Sequence, residues 1–157
     1  MACGRQRRRC CVSFDTVQRR LENRGTHTAP FAAEFSGAEI ASATRDALYC
    51  EGSDDDTLCG IPRLRFAEII YSGDILWAPD GDEDLDDGSY VLQFDIGDDA
   101  RLIAFRSTGA ERLHDVGTLS DLRIPADEFY RVLREWRDGF EARWRDMPKL
   151  SVDQEVP

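Results

Sequence analysis

Apolar and polar residues alternate most clearly in the middle of the chain. Every second residue from 90 to 96 is apolar, as a strand with one buried face requires: Tyr90, Leu92, Phe94 and Ile96. A second apolar stretch, Arg101–Phe105, follows the turn-forming residues Gly97–Ala100, so the pattern predicts an antiparallel hairpin. Gln93 and Asp95 fall on the other face of this hairpin, which we expect to be largely solvated.

The clearest helical pattern lies in the C-terminal third of the chain. Apolar residues recur there at intervals of three and four: Phe129, Val132, Leu133, Trp136, Phe140 and Trp144. Pro125 suits the first turn of such a helix, and Pro148 would end it. We therefore predict an amphipathic helix around Asp127–Asp146 whose apolar stripe, Trp136 included, packs on a sheet that contains Tyr90–Ile96.

The N-terminal half has weaker signals. Val12–Val17 and Phe31–Phe35 are rich in strand-forming residues and predict a hairpin, whereas the apolar spacing in Ala38–Tyr49 predicts a short helix. Leu64–Tyr71 fits a strand or a short helix equally well, and Ile75–Trp77 predicts a strand. The fold class that follows is α+β, with a mainly antiparallel sheet and a long C-terminal amphipathic helix packed on it.

The length and composition fit one domain. The chain has 157 residues, 41% of them hydrophobic, and we expect a single α+β domain over residues 12–148, with a flexible tail at 149–157. Residues 1–11 form a flexible basic leader with four arginines, or result from an over-extended start site. The leader lacks the apolar segment of a signal peptide, and no apolar run approaches the length of a membrane span. We therefore expect a cytoplasmic protein.

Negative charge is concentrated in the middle of the chain. The net charge is −11, and fifteen acids between Glu51 and Asp99 face only Arg63 and Arg65. Such a field repels nucleic acid and anionic membranes and attracts cationic partners. The acids are densest at 80–87, where we expect an exposed turn that binds the partner: Asp80, Asp82, Glu83, Asp84, Asp86 and Asp87. The alternative is a solvated turn that only aids solubility.

The sequence has no pattern typical of a metal site or a catalytic site. Counted from Asp80 as the first position of a calcium loop, Leu85 occupies the position of the required glycine and Val91 that of the required glutamate. The five cysteines form no Cys-x-x-Cys pair and are accompanied by only two histidines, which argues against structural zinc. We predict no enzymatic activity, no metal and no cofactor.

The order of the predicted elements, and above all the closing strand–Pro–helix pattern at Leu122–Leu133, resembles bacterial immunity proteins of polymorphic-toxin and contact-dependent growth inhibition systems. The resemblance implies a cytosolic, antitoxin-like protein that binds and neutralises one cognate toxin domain, often a nuclease, through an acidic surface. The residues themselves also allow a non-catalytic regulatory or scaffold module with a partner that is not a toxin. The identity of the toxin and the oligomeric state stay open at this point.

Overall fold

A computed structural model of the chain describes residues 14–49, 52–53, 56–77, 88–106 and 116–146. A three-stranded antiparallel sheet lies between two pairs of helices. In chain order the elements are α1 (14–22), α2 (Gly37–Tyr49), β1 (Thr57–Leu58), β2 (Ile61–Pro62), α3 (Arg63–Ser72), β3 (Ser89–Ile96), β4 (Asp99–Arg106), a short 3₁₀ helix (Val116–Thr118), β5 (Ser120–Pro125) and α4 (Ala126–Asp146). The predicted α+β class is confirmed.

The strands of the sheet follow the order β3-β4-β5, and each neighbouring pair is antiparallel. The predicted central hairpin is β3–β4, and its turn places Gly97 at a φ of 59°, a left-handed conformation that suits glycine. Beyond β3, Leu76 forms a bridge with Leu92, and the Trp77 N–H donates to the Val91 carbonyl at 2.7 Å. Residues 75–77 therefore extend the sheet, much as predicted, although they form no complete strand.

One face of the sheet packs against α2 and α3. Phe94 and Ile103 of this face are completely buried, together with Phe31 from the segment that precedes α2. Phe31 stacks on Phe66 of α3 at 4.6 Å between ring centroids and meets Phe94 edge-on at 6.0 Å. These ring contacts join the helical layer to the centre of the sheet. The helix predicted at Ala38–Tyr49 is confirmed as α2, and the ambiguous stretch Leu64–Tyr71 lies in α3.

The other face of the sheet lies under α1 and α4, which run antiparallel to each other. Phe14 at the start of α1 packs on Phe140 near the end of α4, with 5.3 Å between ring centroids. Between α1 and the sheet, a second apolar cluster is centred on Val17, Phe129 and Leu133. The long C-terminal helix is confirmed, and its backbone lies over β4 and β5.

The predicted N-terminal hairpin is wrong. Residues 14–22 form a helix, because Phe14, Val17 and Leu21 repeat at the helical spacing and place one apolar side against α4. The stretch Phe31–Phe35 forms turns, in which the Phe31 carbonyl accepts from the N–H groups of Glu34 and Phe35. Phe31 is buried in the core and the partly buried Phe35 packs against it, although neither belongs to a strand.

The prediction that the second face of the hairpin is solvated is also wrong. Gln93 has no exposed surface, and Asp95 is only 9% exposed. Alternation correctly assigned both residues to the face opposite Leu92 and Phe94. That face is covered by α1 and α4, so its polar residues are buried and need partners inside the protein.

Trp136 is not a core residue, contrary to the prediction, because 42% of it is exposed. It stacks on Phe140 at 5.4 Å, but its position in α4 is beyond the part of the helix that is buried against the sheet.

We expect Trp136→Ala to lower the free energy of unfolding by only about 1–2 kcal/mol, below the ~3–5 kcal/mol that truncation of a fully buried aromatic costs. Urea unfolding followed by circular dichroism measures the difference, with Val132→Ala as a control for a smaller apolar residue on the same helix. A loss of 3 kcal/mol or more would place Trp136 in the core after all.

Candidate functional site

The six acids predicted to bind the partner lie outside the described residues: Asp80, Asp82, Glu83, Asp84, Asp86 and Asp87. Residues 80–87 are called the acidic segment below. The structure describes the residues that flank it, Trp77 and Gly88. Trp77 is held to β3 by its hydrogen bond to Val91, and Gly88 directly precedes β3. The acidic segment is therefore connected on both sides to one edge of the sheet.

Most of the excess negative charge belongs to parts of the chain outside the described residues. The described residues contain 14 arginines and 18 acids, a net charge of −4, which leaves −7 of the total −11 for the remainder. The acidic segment alone contributes six negative charges to that remainder. The described body thus has a nearly balanced surface, next to a short stretch of concentrated charge.

Trp77 is fixed by contacts to three elements. Its indole N–H donates to the Gln93 side-chain oxygen of β3 at 2.8 Å. The Arg20 guanidinium of α1 lies 4.5 Å from the centre of its ring, and Phe129 of α4 meets the ring edge-on at 6.4 Å. A hydrogen bond, a cation–π contact and an aromatic pair together give the residue that leads into the acidic segment a defined position.

Gln93 and Arg20 are both completely buried and share one polar network with Trp77. Arg20 donates to the Gln93 side-chain oxygen at 3.0 Å and to the Leu76 carbonyl at 2.7 Å. The Gln93 amide in turn donates to the Tyr130 hydroxyl of α4 at 2.9 Å. Burial lowers the pKa of Arg20 to about 10, so its guanidinium remains protonated at neutral pH and stabilises these acceptors.

Asp95 is the acceptor at the other end of this network. The Tyr130 hydroxyl donates to its carboxylate at 2.9 Å, the Gly25 N–H donates at 2.8 Å, and His27 Nδ1 lies at 3.1 Å. Burial acts to raise the pKa of Asp95, but the hydrogen bonds from His27 and Tyr130 outweigh it, and the net pKa is lowered. Burial and the charge of Asp95 raise the pKa of Tyr130, so its phenol stays protonated. The site thus holds a carboxylate with satisfied hydrogen bonds.

Asp95, His27 and Tyr130 include the residue types of an acid–base site, but their burial excludes that role. Neither His27 nor Tyr130 has any exposed surface, so a substrate cannot reach the imidazole or the phenol. Their contacts connect the turn after α1, β3 and α4. The arrangement is a structural anchor between layers. A sequence signal for it exists in Arg20 and Tyr130, which are polar residues within or beside the apolar stripes of their helices.

A second polar anchor lies on the opposite face of the sheet. Arg101 of β4 is 3% exposed and donates to both carboxylate oxygens of Asp121, at 2.8 and 2.5 Å. It also donates to the carbonyls of Ala32 and Phe35, while Asp121 accepts from the Gly37 N–H that begins α2. Hydrogen bonds from Arg101 are the main reason that the pKa of Asp121 is lowered. This ion pair joins β4, β5 and α2.

An open groove of about 430 Å³ lies between α2 and the β1–β2 hairpin. The residues that line it include Glu39, Asp46 and Cys59. Burial, with a smaller contribution from the charge of Glu39, raises the pKa of Cys59 to about 11. The thiol is therefore protonated at neutral pH and is a poor nucleophile and metal ligand.

Across the described ranges, no three histidine, cysteine or acidic side chains come together in a way that would hold a metal ion. Within the same ranges, no helix has the length and apolar character that crossing a membrane requires.

The surface feature that sequence reasoning missed lies on α4. Val132 and Trp136 are 49% and 42% exposed, and Leu122 of the adjacent strand β5 is 49% exposed. The signal was present in the sequence, because the apolar positions of α4 cover more of the helix circumference than one packing face needs. Gly139 in the middle of a 21-residue helix is a second unusual feature of the same surface.

Comparison with known proteins gives one match. A family model described as Immunity protein 42 matches residues 10–139. No curated protein and no solved structure matches the chain.

Proposed function

Because the chain belongs to the Immunity protein 42 family of polymorphic-toxin immunity proteins, we propose that it binds and neutralises one cognate bacterial toxin domain. Membership of this family is the observation that carries the proposal. It favours the toxin partner over the regulatory or scaffold partner that the residues alone also allow. The protein acts by binding rather than by catalysis, which agrees with the burial of His27 and Tyr130.

The partner surface in this proposal is the acidic segment. Six negative charges within eight residues attract a basic protein over a distance of about one Debye length, and they increase its rate of association. A basic toxin domain is the natural counterpart, and a nuclease has that character because it must hold a polyanion. We place the encounter in the cytoplasm, where an incoming nuclease finds its substrate. The fixed position of Trp77 supports the proposal, since the segment begins three residues after this defined point.

The function itself is tested by protection. Host cells that express the toxin domain encoded beside this gene should stop growing, and co-expression of this chain should restore growth. Purified chain and toxin domain should also form a complex by size-exclusion chromatography. Growth arrest that persists despite soluble chain, with no complex formed, would refute the proposed function.

The role of the acidic segment is tested by association kinetics. Replacing Asp82, Asp84, Asp86 and Asp87 by Asn should slow association with the toxin domain by about tenfold or more at low salt, with a smaller change in dissociation. Stopped-flow fluorescence at ~0.05 and ~0.5 M salt measures both rates, and the parental rate should fall towards that of the variant as salt rises.

The matched control removes the same amount of charge elsewhere. Asp15, Glu34, Asp99 and Glu141 are exposed on the described body and can be replaced by their amides. If the steering is local, this control should associate at close to the parental rate. Equal slowing by both quadruple variants would show that only net charge matters, and an unaffected acidic-segment variant would place the binding surface elsewhere.

A further inference from the structure

One flank of α4 is made of exposed residues. Tyr130 and Arg137 face β3 and α1, as their hydrogen bonds to Gln93 and Gln18 show. At 100° per residue, the exposed flank is a sector of about 100° that begins beside the buried Phe129. Seven residues of α4 lie in this sector: Asp146, the last residue of the helix, and six that are called the α4 flank here, Glu128, Val132, Glu135, Trp136, Gly139 and Arg143.

The α4 flank combines exposed apolar surface with an open position. Val132 and Trp136 are exposed by 49% and 42%. A Cβ atom added at Gly139 would meet nothing within 4 Å, so packing among the described residues does not require the glycine. Glycine in a helix interior costs about 1 kcal/mol relative to alanine, but it allows another helix to approach closely.

Two charged residues of the flank, Glu128 and Arg143, have opposite signs and are available for an ion pair with another molecule. Glu128 and Arg143 have no ion-pair partner among the described residues, whereas Arg131 is paired with Glu135 at 2.7 Å. Glu128 and Arg143 lie equally far, in opposite directions, from the point between Glu135 and Trp136. Val132 and Gly139 are also equally far from that point. A flank with this symmetry is complementary to an antiparallel copy of itself.

We propose that two copies of this chain associate through the α4 flank, with a two-fold axis that passes between Glu135 and Trp136. Glu128 then faces Arg143 of the partner subunit, and Val132 fills the space beside the partner's Gly139. The two tryptophans cover the axis. The shallow crossing angle of about 20° that is common for packed helices keeps both ion pairs within reach.

The interface is small. One pair of helices buries less than the 1,200–2,000 Å² that is typical of stable complexes, although the exposed Leu122 of β5 extends the apolar surface on the same side of the sheet. We therefore expect a dissociation constant on the order of 1–100 μM. The proposal concerns a self-contact and does not depend on the toxin or on the acidic segment.

Charge reversal and its rescue test the proposed pairing. Sedimentation equilibrium of the full chain at increasing concentration should show the average mass rising from one chain towards two. Glu128→Arg and Arg143→Glu should each weaken the dimer at least tenfold, because each places like charges opposite one another. The double variant should restore the dimer, because the two ion pairs re-form in reverse. Arg134→Glu, on another side of α4, should leave the dimer unchanged.

Gly139→Leu distinguishes loss of the dimer from loss of the fold. Gly139 is exposed, a Cβ atom there meets nothing within 4 Å, and leucine is a better helix former, so thermal stability should be kept or raised while the dimer is lost. A parent chain that stays monomeric up to ~1 mM overturns the proposal. So does a dimer that both single charge reversals leave intact, or a double variant that fails to restore association. Charge reversals that weaken toxin binding of a monomeric parent would instead assign the α4 flank to the toxin.

Discussion

Replacing Asp95 by alanine should lower the free energy of unfolding by about 3–5 kcal/mol, as the loss of one member of a buried ionic cluster does. The substitution removes the acceptor of the Gly25 N–H and the carboxylate beside the buried His27, which then keeps only a longer contact of 3.3 Å with the Tyr130 hydroxyl. Tyr130 would lose the acceptor of its hydroxyl proton and keep the hydrogen bond that it accepts from Gln93 and its contact with His27. The contact that joins the turn after α1 to β3 and α4 would thus be lost. Chemical unfolding monitored by tryptophan fluorescence provides the measurement.

The effect of Asp95 should depend on pH in a defined direction. The pKa of Asp95 is lower in the folded protein than in the unfolded chain. Its contribution to the free energy of unfolding is therefore complete above the ordinary carboxyl pKa of about 4, and it is lost as the pH falls through the folded pKa. The difference between parent and variant should therefore be constant from pH 5 to 8 and shrink in stronger acid. Asp99→Ala, at an exposed position of β4, should change stability by less than ~0.5 kcal/mol. Equal effects of the two substitutions would contradict the anchor.

Arg101→Met should also cost about 3–5 kcal/mol, since it keeps the volume of the side chain but removes its charge and its donors. Asp121 would lose both of its hydrogen bonds from the guanidinium, and the carbonyls of Ala32 and Phe35 would lose a buried donor. The turns that hold Phe31 under the sheet should loosen first. Hydrogen exchange should therefore show faster exchange in residues 31–37 than in α4.

Arg123→Met is the matched control for Arg101→Met. Arg123 lies opposite Arg101 in the register of β4 and β5 but is exposed, so its loss should change stability by less than ~1 kcal/mol. If both arginine variants unfold at the same denaturant concentration as the parent, Arg101 is not an anchor between the two layers.

Local sequence patterns were sufficient to predict several of the helices and strands. Alternation at Tyr90–Ile96 identified β3, and spacing identified α2 and α4. The same patterns failed at residues 14–22, where Thr16 and Val17 favour a strand locally but contacts with α4 stabilise a helix. Alternation assigned Asp95 to the correct face of its strand. It does not reveal that another layer covers that face, because the covering residues, such as Tyr130, are far away in sequence.

The candidate partner surface was predicted from charge alone, and it stays a prediction because residues 80–87 lie outside the described residues. The structure adds that Trp77, which precedes that segment in the sequence, has a fixed position. It also shows that Val132 and Trp136 of α4, which periodicity had assigned to the core, are exposed. Periodicity shows which residues share a side of a helix. It does not show where along α4 the sheet ends, and Trp136 lies beyond that point.

Because α1 packs against α4, the fold of this protein can be completed only late in its synthesis. His27 and Tyr130 are 103 residues apart, and ribosomes add roughly 5–20 residues per second, so α1 waits about 5–20 s for its partner helix. Until then, Gln93 and Asp95 lie on an uncovered face of the nascent sheet, together with the apolar side of α1. The newly made chain therefore passes through an interval in which it is open to chaperones and proteases, and this interval ends only when α4 has been made.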